Sequence, residues 1–143
     1  TGEPWDLVER RPRFTLLNLD TRALGGAAPF AAVATSGLRL PHPDASFDMI
    51  WCRHCLEHSI YPYFTLSQFN RVLKPGGWLY VEVPAPDTAC LHQTNGNHYS
   101  VLGKSMLGSL ILRSGFDVLD ILDVNFTVPA GPDTYWAYIG KKK

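Results

Sequence analysis

Leu40-Pro41-His42-Pro43-Asp44-Ala45-Ser46-Phe47-Asp48-Met49-Ile50-Trp51-Cys52 is the stretch whose reading decides the fold. Its first seven residues are turn chemistry, because neither proline can continue a helix or donate to a sheet ladder. They deliver the chain into Phe47–Cys52, which reads as a strand. Downstream, Pro62 suits the first turn of a helix, and Leu66, Phe69, Val72 and Leu73 recur at helical spacing. Pro75-Gly76-Gly77 stops that helix, and Trp78–Val83 reads as the next strand, closed by Pro84. A polar loop spans about 85–100. Leu102, Met106, Leu107, Leu110 and Ile111 then mark a second amphipathic helix, with Gly115 as its stop. Two strands near 116–124 and 134–140 follow with no helix between them. Upstream, Pro4 opens a short helix over about 4–10, and Phe14–Leu19 reads as a strand ending in Asp20. Residues 23–30 form a loop, and 31–34 a further strand.

Strands alternating with helices predict an α/β fold with a doubly wound, mostly parallel sheet, and the last two strands predict an antiparallel hairpin at one edge. Ligands of such sheets sit outside the carboxyl ends of the strands. The residues that matter for function are therefore Asp20, Ser36, Cys52 to His58 and Pro84 to Tyr99.

The bulk properties narrow the classes. A chain of 143 residues fits one domain, taken here as 1–143. A formal net charge of +0 argues against a general nucleic-acid or membrane-surface binder, since both need a basic footprint. The only charge run, Lys141-Lys142-Lys143, reads as a solvated tail. Apolar runs fall far short of the about 20 residues that cross a bilayer. Three cysteines give no disulfide framework, so a reducing cytoplasm is the expected location.

The loop-and-strand segment Leu40–Asp48, the triplet Leu56-Glu57-His58 and the run Arg71-Val72-Leu73-Lys74-Pro75-Gly76-Gly77 together resemble the signature of class I S-adenosylmethionine-dependent methyltransferases of the type 11 group. In that family an L-P-F-P-D-x-S-F-D loop enters the fourth strand, L-E-H opens the next helix, and L-K-P-G-G precedes the fifth strand. Ser114-Gly115-Phe116 resembles the A-G-F that leads into the sixth. The resemblance implies a Rossmann-like sheet in the order 3-2-1-4-5-7-6 with strand seven antiparallel. It also implies that strand one is missing from this chain, with Thr1-Gly2-Glu3 matching the tail of the family's G-x-G-T-G-E. An N-terminally truncated domain is expected on that ground.

The same resemblance assigns cofactor-binding roles for S-adenosylmethionine. Gly2 belongs to the glycine-rich loop. Asp20, ending strand two, would accept hydrogen bonds from both ribose hydroxyls. Ser36 stands where the family often has an aspartate facing the adenine amino group, a weaker acceptor without charge, and Gly37 and Leu38 would contact the adenine ring. Cys52, Arg53 and His54 would line the methionine side of the cofactor pocket, while Glu57 and His58 organise the helix start. Two cysteines and two histidines in Cys52–His58 raise the question of a metal. Zinc ligands usually come as two separated pairs, so no metal site is expected. Lys74-Pro75-Gly76-Gly77 and Asp48 read as structural, and Trp51 and Trp78 as core.

The substrate surface is expected on the loop from Pro84 to Tyr99, which carries Asp87, Cys90, His92, Asn95, Asn97, His98 and Tyr99. Asp87, His92, Asn97 and Tyr99 are the substrate-loop residues, and His98 is the candidate general base for a hydroxyl or amine nucleophile. A solvated loop with incidental histidines is the plain alternative. The expected reaction is in-line attack by an oxygen, nitrogen or carbon of a small-molecule acceptor on the sulfonium methyl. Two rivals remain at this point: a methyltransferase-like fragment acting as a structural or interaction module, and a nicotinamide-dependent dehydrogenase, which would leave L-E-H and L-K-P-G-G unexplained.

Overall fold

A computed structural model describes residues 39–143. The expected helix at 4–10, the strands at 14–19 and 31–34, and the site residues Gly2, Asp20, Ser36, Gly37 and Leu38 lie outside the described residues. Within them the chain runs β1 (Phe47–Arg53), a 3-10 turn (Leu56–His58), α1 (Pro62–Val72), β2 (Leu73–Pro84), a second 3-10 turn (His92–Thr94), α2 (Lys104–Arg113), β3 (Phe116–Val128) and β4 (Gly131–Lys142). The sheet order is β1-β2-β4-β3. β1 and β2 are parallel, and β4 is antiparallel to both β2 and β3. This matches the 4-5-7-6 part of the expected order, with the hairpin at one edge of the described sheet.

One face of the sheet holds the core. Ile50 and Cys52 of β1, Leu79, Val81 and Val83 of β2, Phe116 of β3 and Tyr138 of β4 point into it. Leu66, Phe69 and Val72 of α1 and Leu107 and Ile111 of α2 meet them there. Pro62 opens α1, where its missing N–H costs no helical bond. Gly115 ends α2 at φ +92, and a Cβ there would sit 2.8 Å from Asn70 Nδ2. That Asn70 amide donates to the Gly115 carbonyl at 3.0 Å, tying the end of α2 to α1.

The two segments that carry the resemblance are bonded to each other. The Arg71 guanidinium, largely buried, donates to the carbonyls of Leu40 (2.9 Å) and His42 (2.8 Å) and to Asp44 Oδ1 (2.8 Å). Ala45 and Ser46 donate their N–H groups to the carbonyls of Arg71 and Val72. The turn before β1 is thus held by the end of α1. Asp44 is kept below the usual carboxylate range by its hydrogen bond from Arg71, against a smaller effect of burial.

Several expectations are corrected. Strand β2 begins at Leu73, not Trp78: Phe47 pairs with Leu73 and Met49 with Trp78, so Pro75-Gly76-Gly77 is a bulge inside the strand. Gly76 at φ +72 and Gly77, whose Cβ would meet Lys74 O at 2.8 Å, allow the ladder to resume. Lys74 Nζ pairs with Asp48 across this bulge at 2.8 Å. Trp51 and Trp78 are 62% and 44% exposed, on the face away from the core, with Trp51 stacked on Tyr80 at 4.0 Å. Strand alternation puts them there, because Ile50 and Cys52 take the inward positions. Met106 is exposed for the equivalent reason on α2. Lys141 and Lys142 are strand residues: Lys142 Nζ donates to the carbonyls of Asn70 and Leu73 at the end of α1, and Lys141 lies over Trp78. Lys143 Nζ pairs with Asp117 at 3.7 Å. The basic run is therefore bonded to the fold.

Candidate active site at the carboxyl ends of the parallel strands

Beyond the carboxyl ends of β1 and β2, polar side chains gather. Arg53 and Glu82 are register partners on neighbouring strands. Arg53 Nε donates to Glu82 Oε1 at 2.8 Å, and the Tyr80 hydroxyl donates to Oε2 at 2.6 Å. His54 Nε2 lies 3.3 Å from the same Oε1. Burial pulls the Glu82 carboxyl up, but the hydrogen bonds from Tyr80 and Arg53 outweigh it, and the net displacement is downward. Glu82 thus stays ionised although nearly all its surface is covered. Burial and the Glu82 bond push Tyr80 up to about 12.

His54 turns the chain out of β1 with a left-handed φ of 50. Ala45, Asp87 and Leu91 are the other non-glycine residues with positive φ among the described residues, so three of these four flank the carboxyl ends. Such conformations persist only where the surroundings over-determine them. Cys52 packs in the core, where its hydrogen bond with Cys55 and then burial drive its thiol well up. Its side chain does not belong to the polar group that Arg53 and His54 join.

The loop after β2 is tied down at both ends. Ala85 N donates to Thr134 O and Ala89 N to Pro132 O, both on β4. At the far end Tyr99 N and Ser100 N both donate to the Glu57 carbonyl, and Ser100 Oγ donates to the carbonyls of Leu56 and Ser59. His92 Nε2 contacts Asp133 Oδ2 at 2.9 Å. Burial raises the Asp133 carboxyl, but the His92 bond and its other partners reverse this and leave it lowered. His98 Nδ1 meets the His92 carbonyl at 2.8 Å, and His58 Nδ1 meets the Asn97 carbonyl at 2.7 Å. If each Nδ1 donates there, the Nε2 of each ring carries the lone pair.

The result is a row of rings in contact. His54 meets Tyr135 edge-on at 4.6 Å, Tyr135 meets His92 at 5.4 Å, His92 stacks on His98 at 5.9 Å, and His98 meets His58 at 4.7 Å. Burial first, then the Arg53 charge, lowers His54; burial also lowers His98, against the hydrogen bond to His92 O that raises it. Both rings are therefore held neutral near pH 7, able to accept a proton. Glu57 is pushed up by burial, being 2% exposed.

Of the site residues expected from sequence, the structure brings together Arg53, His54, His92 and His98. Asn97 takes part through its carbonyl and Tyr99 through its N–H, while their side chains are exposed. Asp87 is exposed and bonded to Gln93. Sequence reasoning passed over Glu82, Asp133 and Tyr135. Glu82 had one readable sign, a carboxylate inside the apolar run Tyr80-Val81-Glu82-Val83. Two groups could hold a cation: Glu57, His58 and His98, and Cys90, His92 and Asp133. Among the described residues no helix is long and apolar enough to cross a membrane.

The sequence model of the family described as "Methyltransferase domain" matches residues 7–81. The 27-O-demethylrifamycin SV methyltransferase of Amycolatopsis mediterranei is 42% identical over 53 residues, 34% of this chain and 20% of that protein. The chain spans about a fifth of the length of the curated relatives it matches. Among solved structures, a S-adenosylmethionine-dependent methyltransferase of Thermotoga maritima superposes with a TM-score of 0.71 at 17% identity, covering 89% of this chain and 72% of that one. The [4+2]-cyclase SpnF does so with a TM-score of 0.62 at 20% identity, covering 85% of this chain and 58% of that one. At such identities the structural likeness establishes the fold.

Proposed function

For a chain that belongs to the methyltransferase-domain family, as this one does, we propose transfer of a methyl group from S-adenosylmethionine to a small-molecule acceptor held under the loop Ala85–Tyr99. The observation that carries the reading is the row of imidazoles in ring contact at the carboxyl ends of the parallel strands, of which burial holds His54 and His98 below the usual imidazole range. This is where α/β sheets of this kind bind ligands.

The described part of the site has the chemistry the methionine end of the donor needs. Arg53 offers a half-exposed cation for a carboxylate, and Glu82 holds that guanidinium in place. His54, lifted from the strand by its positive φ, offers a neutral ring beside it. Asp20 for the ribose, with Gly2, Ser36, Gly37 and Leu38 around the rest of the donor, complete the proposed cradle. The donor supplies a methyl already activated by its sulfonium. The protein's part is then to align the nucleophile and exclude water. His98, with Nδ1 bonded to His92 O, presents Nε2 as the proton acceptor for a hydroxyl or amine nucleophile. His92 orients that ring by stacking and is itself fixed by Asp133. Asp87, Asn97 and Tyr99 project on the exposed side of the loop, where acceptor groups would be recognised. No basic footprint invites nucleic acid or a membrane surface, and the three free thiols suit a reducing cytoplasm.

Calorimetric titration of the 143-residue chain with S-adenosylmethionine and its demethylated product tests this. Micromolar binding, abolished by Asp20→Ala and weakened by Arg53→Ala, is the expected result. A folded chain that binds neither ligand would instead favour the non-catalytic structural or interaction module.

A further inference from the structure

Glu57 is placed as few carboxylates are. It is almost wholly buried, its Oε2 has no hydrogen-bond partner, and its Oε1 lies 3.9 Å from His58 Nε2. A buried carboxylate oxygen left unpaired is costly unless something cationic completes it. His58 and His98 face it, and one donor atom from each of the three lies within 4.8 Å of the others. Both imidazoles engage a backbone carbonyl through Nδ1, at 2.7 and 2.8 Å, which leaves Nε2 free. Metal-ligating histidines are characteristically held in this way, one nitrogen on the metal and the other donating to a carbonyl or carboxylate.

We propose that Glu57, His58 and His98 bind a divalent transition-metal ion of the zinc type. Two imidazoles and a carboxylate are a known three-ligand zinc set with a fourth position open. Bonds of about 2.0–2.2 Å would set the donor atoms roughly 3.4 Å apart. The three side chains therefore close in by about an ångström on loading, within the reach of small χ adjustments. The neighbouring group does not compete: both Asp133 oxygens already contact His92, and Oδ1 also accepts from Thr134 N. Sequence spacing hid the site because His98 is 40 residues from His58 and is brought back by the two N–H groups that bond to Glu57 O. On the methyl-transfer reading, the open position would hold and acidify the acceptor heteroatom, replacing proton acceptance by His98, whose Nε2 lone pair the metal would occupy. That role rests on the reading, but the site does not.

Zinc alone, titrated calorimetrically into the metal-stripped 143-residue chain, should bind one equivalent. Glu57→Gln and His98→Ala should each lower the affinity at least about tenfold, while Cys90→Ser leaves it unchanged. Cobalt(II) should give visible d–d bands without the near-ultraviolet band of a thiolate ligand. Circular dichroism confirms that each variant is folded, and Glu57→Gln, which removes a buried charge, is the variant whose folding is safest. Absence of zinc binding by the folded chain, binding indifferent to Glu57→Gln and His98→Ala, or a thiolate–cobalt band lost in Cys90→Ser would each overturn the proposal. None of these readouts involves the methyl donor, so the metal site and the methyl-transfer reading fail separately.

Discussion

The two ends of the β1–β2 pair are built from similar residue types and organised in opposite ways. At the amino end, cations and carbonyls match: Arg71 on Leu40, His42 and Asp44, Lys74 on Asp48, Lys142 on the carbonyls of Asn70 and Leu73. At the carboxyl end the accounts do not close. Glu57 keeps an unpaired oxygen, and His54, Asp87 and Leu91 hold left-handed backbone. Saturated polar groups at one end fix the fold, and unsaturated ones at the other leave capacity for a ligand. Stability and binding should therefore respond separately to substitutions at the two ends.

The largest effect is expected at the amino end. Arg71→Ala removes five hydrogen bonds, two of them to Gln68, and leaves carbonyls without their donor, which should cost about 3 kcal/mol in urea unfolding. Affinity for S-adenosylmethionine in the fraction still folded should change little. If the variant stayed as stable as the parent, the structural assignment of that end would be broken.

A smaller effect of opposite sign is expected for Leu91→Gly. Leu91 is half-exposed at φ 48, so glycine should relieve left-handed strain and stabilise the fold by about 0.5 kcal/mol after its own entropic cost. Zinc and S-adenosylmethionine affinities should fall as the loop loosens. A loss of stability would show that the strain is balanced locally and not held by the site.

The smallest effect lies in pH. His98 is lowered in the folded chain, so the unfolded chain binds the proton first as pH falls below about 6.5. The stabilisation from the neutral ring is present above that pH and is lost progressively on acidification. His98→Gln should flatten the slope of unfolding free energy against pH just below about 6.5, while leaving the amino end untouched.

Much of this contrast was readable in the chain and some of it was not. Phe47–Cys52, the helix opened by Pro62 and the terminal hairpin follow from local periodicity and turn residues, and the structure agrees with them. β2 starts earlier than expected because a glycine bulge does not interrupt pairing as it would a helix. β3 runs past 124 to Val128 because Asn125–Val128 find partners in Gly131–Thr134, a tertiary fact. In the site, Arg53, His54, His92 and His98 were visible as residue types after strand ends. Their partners were not, since Glu82 lies 29 residues from Arg53 and Asp133 lies 41 from His92. Trp51 misled because an aromatic in a strand says nothing about which face it takes until its neighbours are placed.

The loop Ala85–Ser100 is an arch with both feet mortared. One foot is bonded to β4 at Thr134 and Pro132, the other to the Leu56–Ser59 turn. Such an arch cannot swing open as a door does, because lifting either foot breaks strand-end bonds. Traffic to the imidazole row has to pass beside the crown, around Gln93–Asn97, whose side chains are exposed. Changes of length would shift the rings even at the crown, because Asn97 O meets the His58 ring and Asn95 O accepts from His98 N. An engineer wishing to alter what enters should therefore change the exposed side chains of the crown and keep its backbone and both feet.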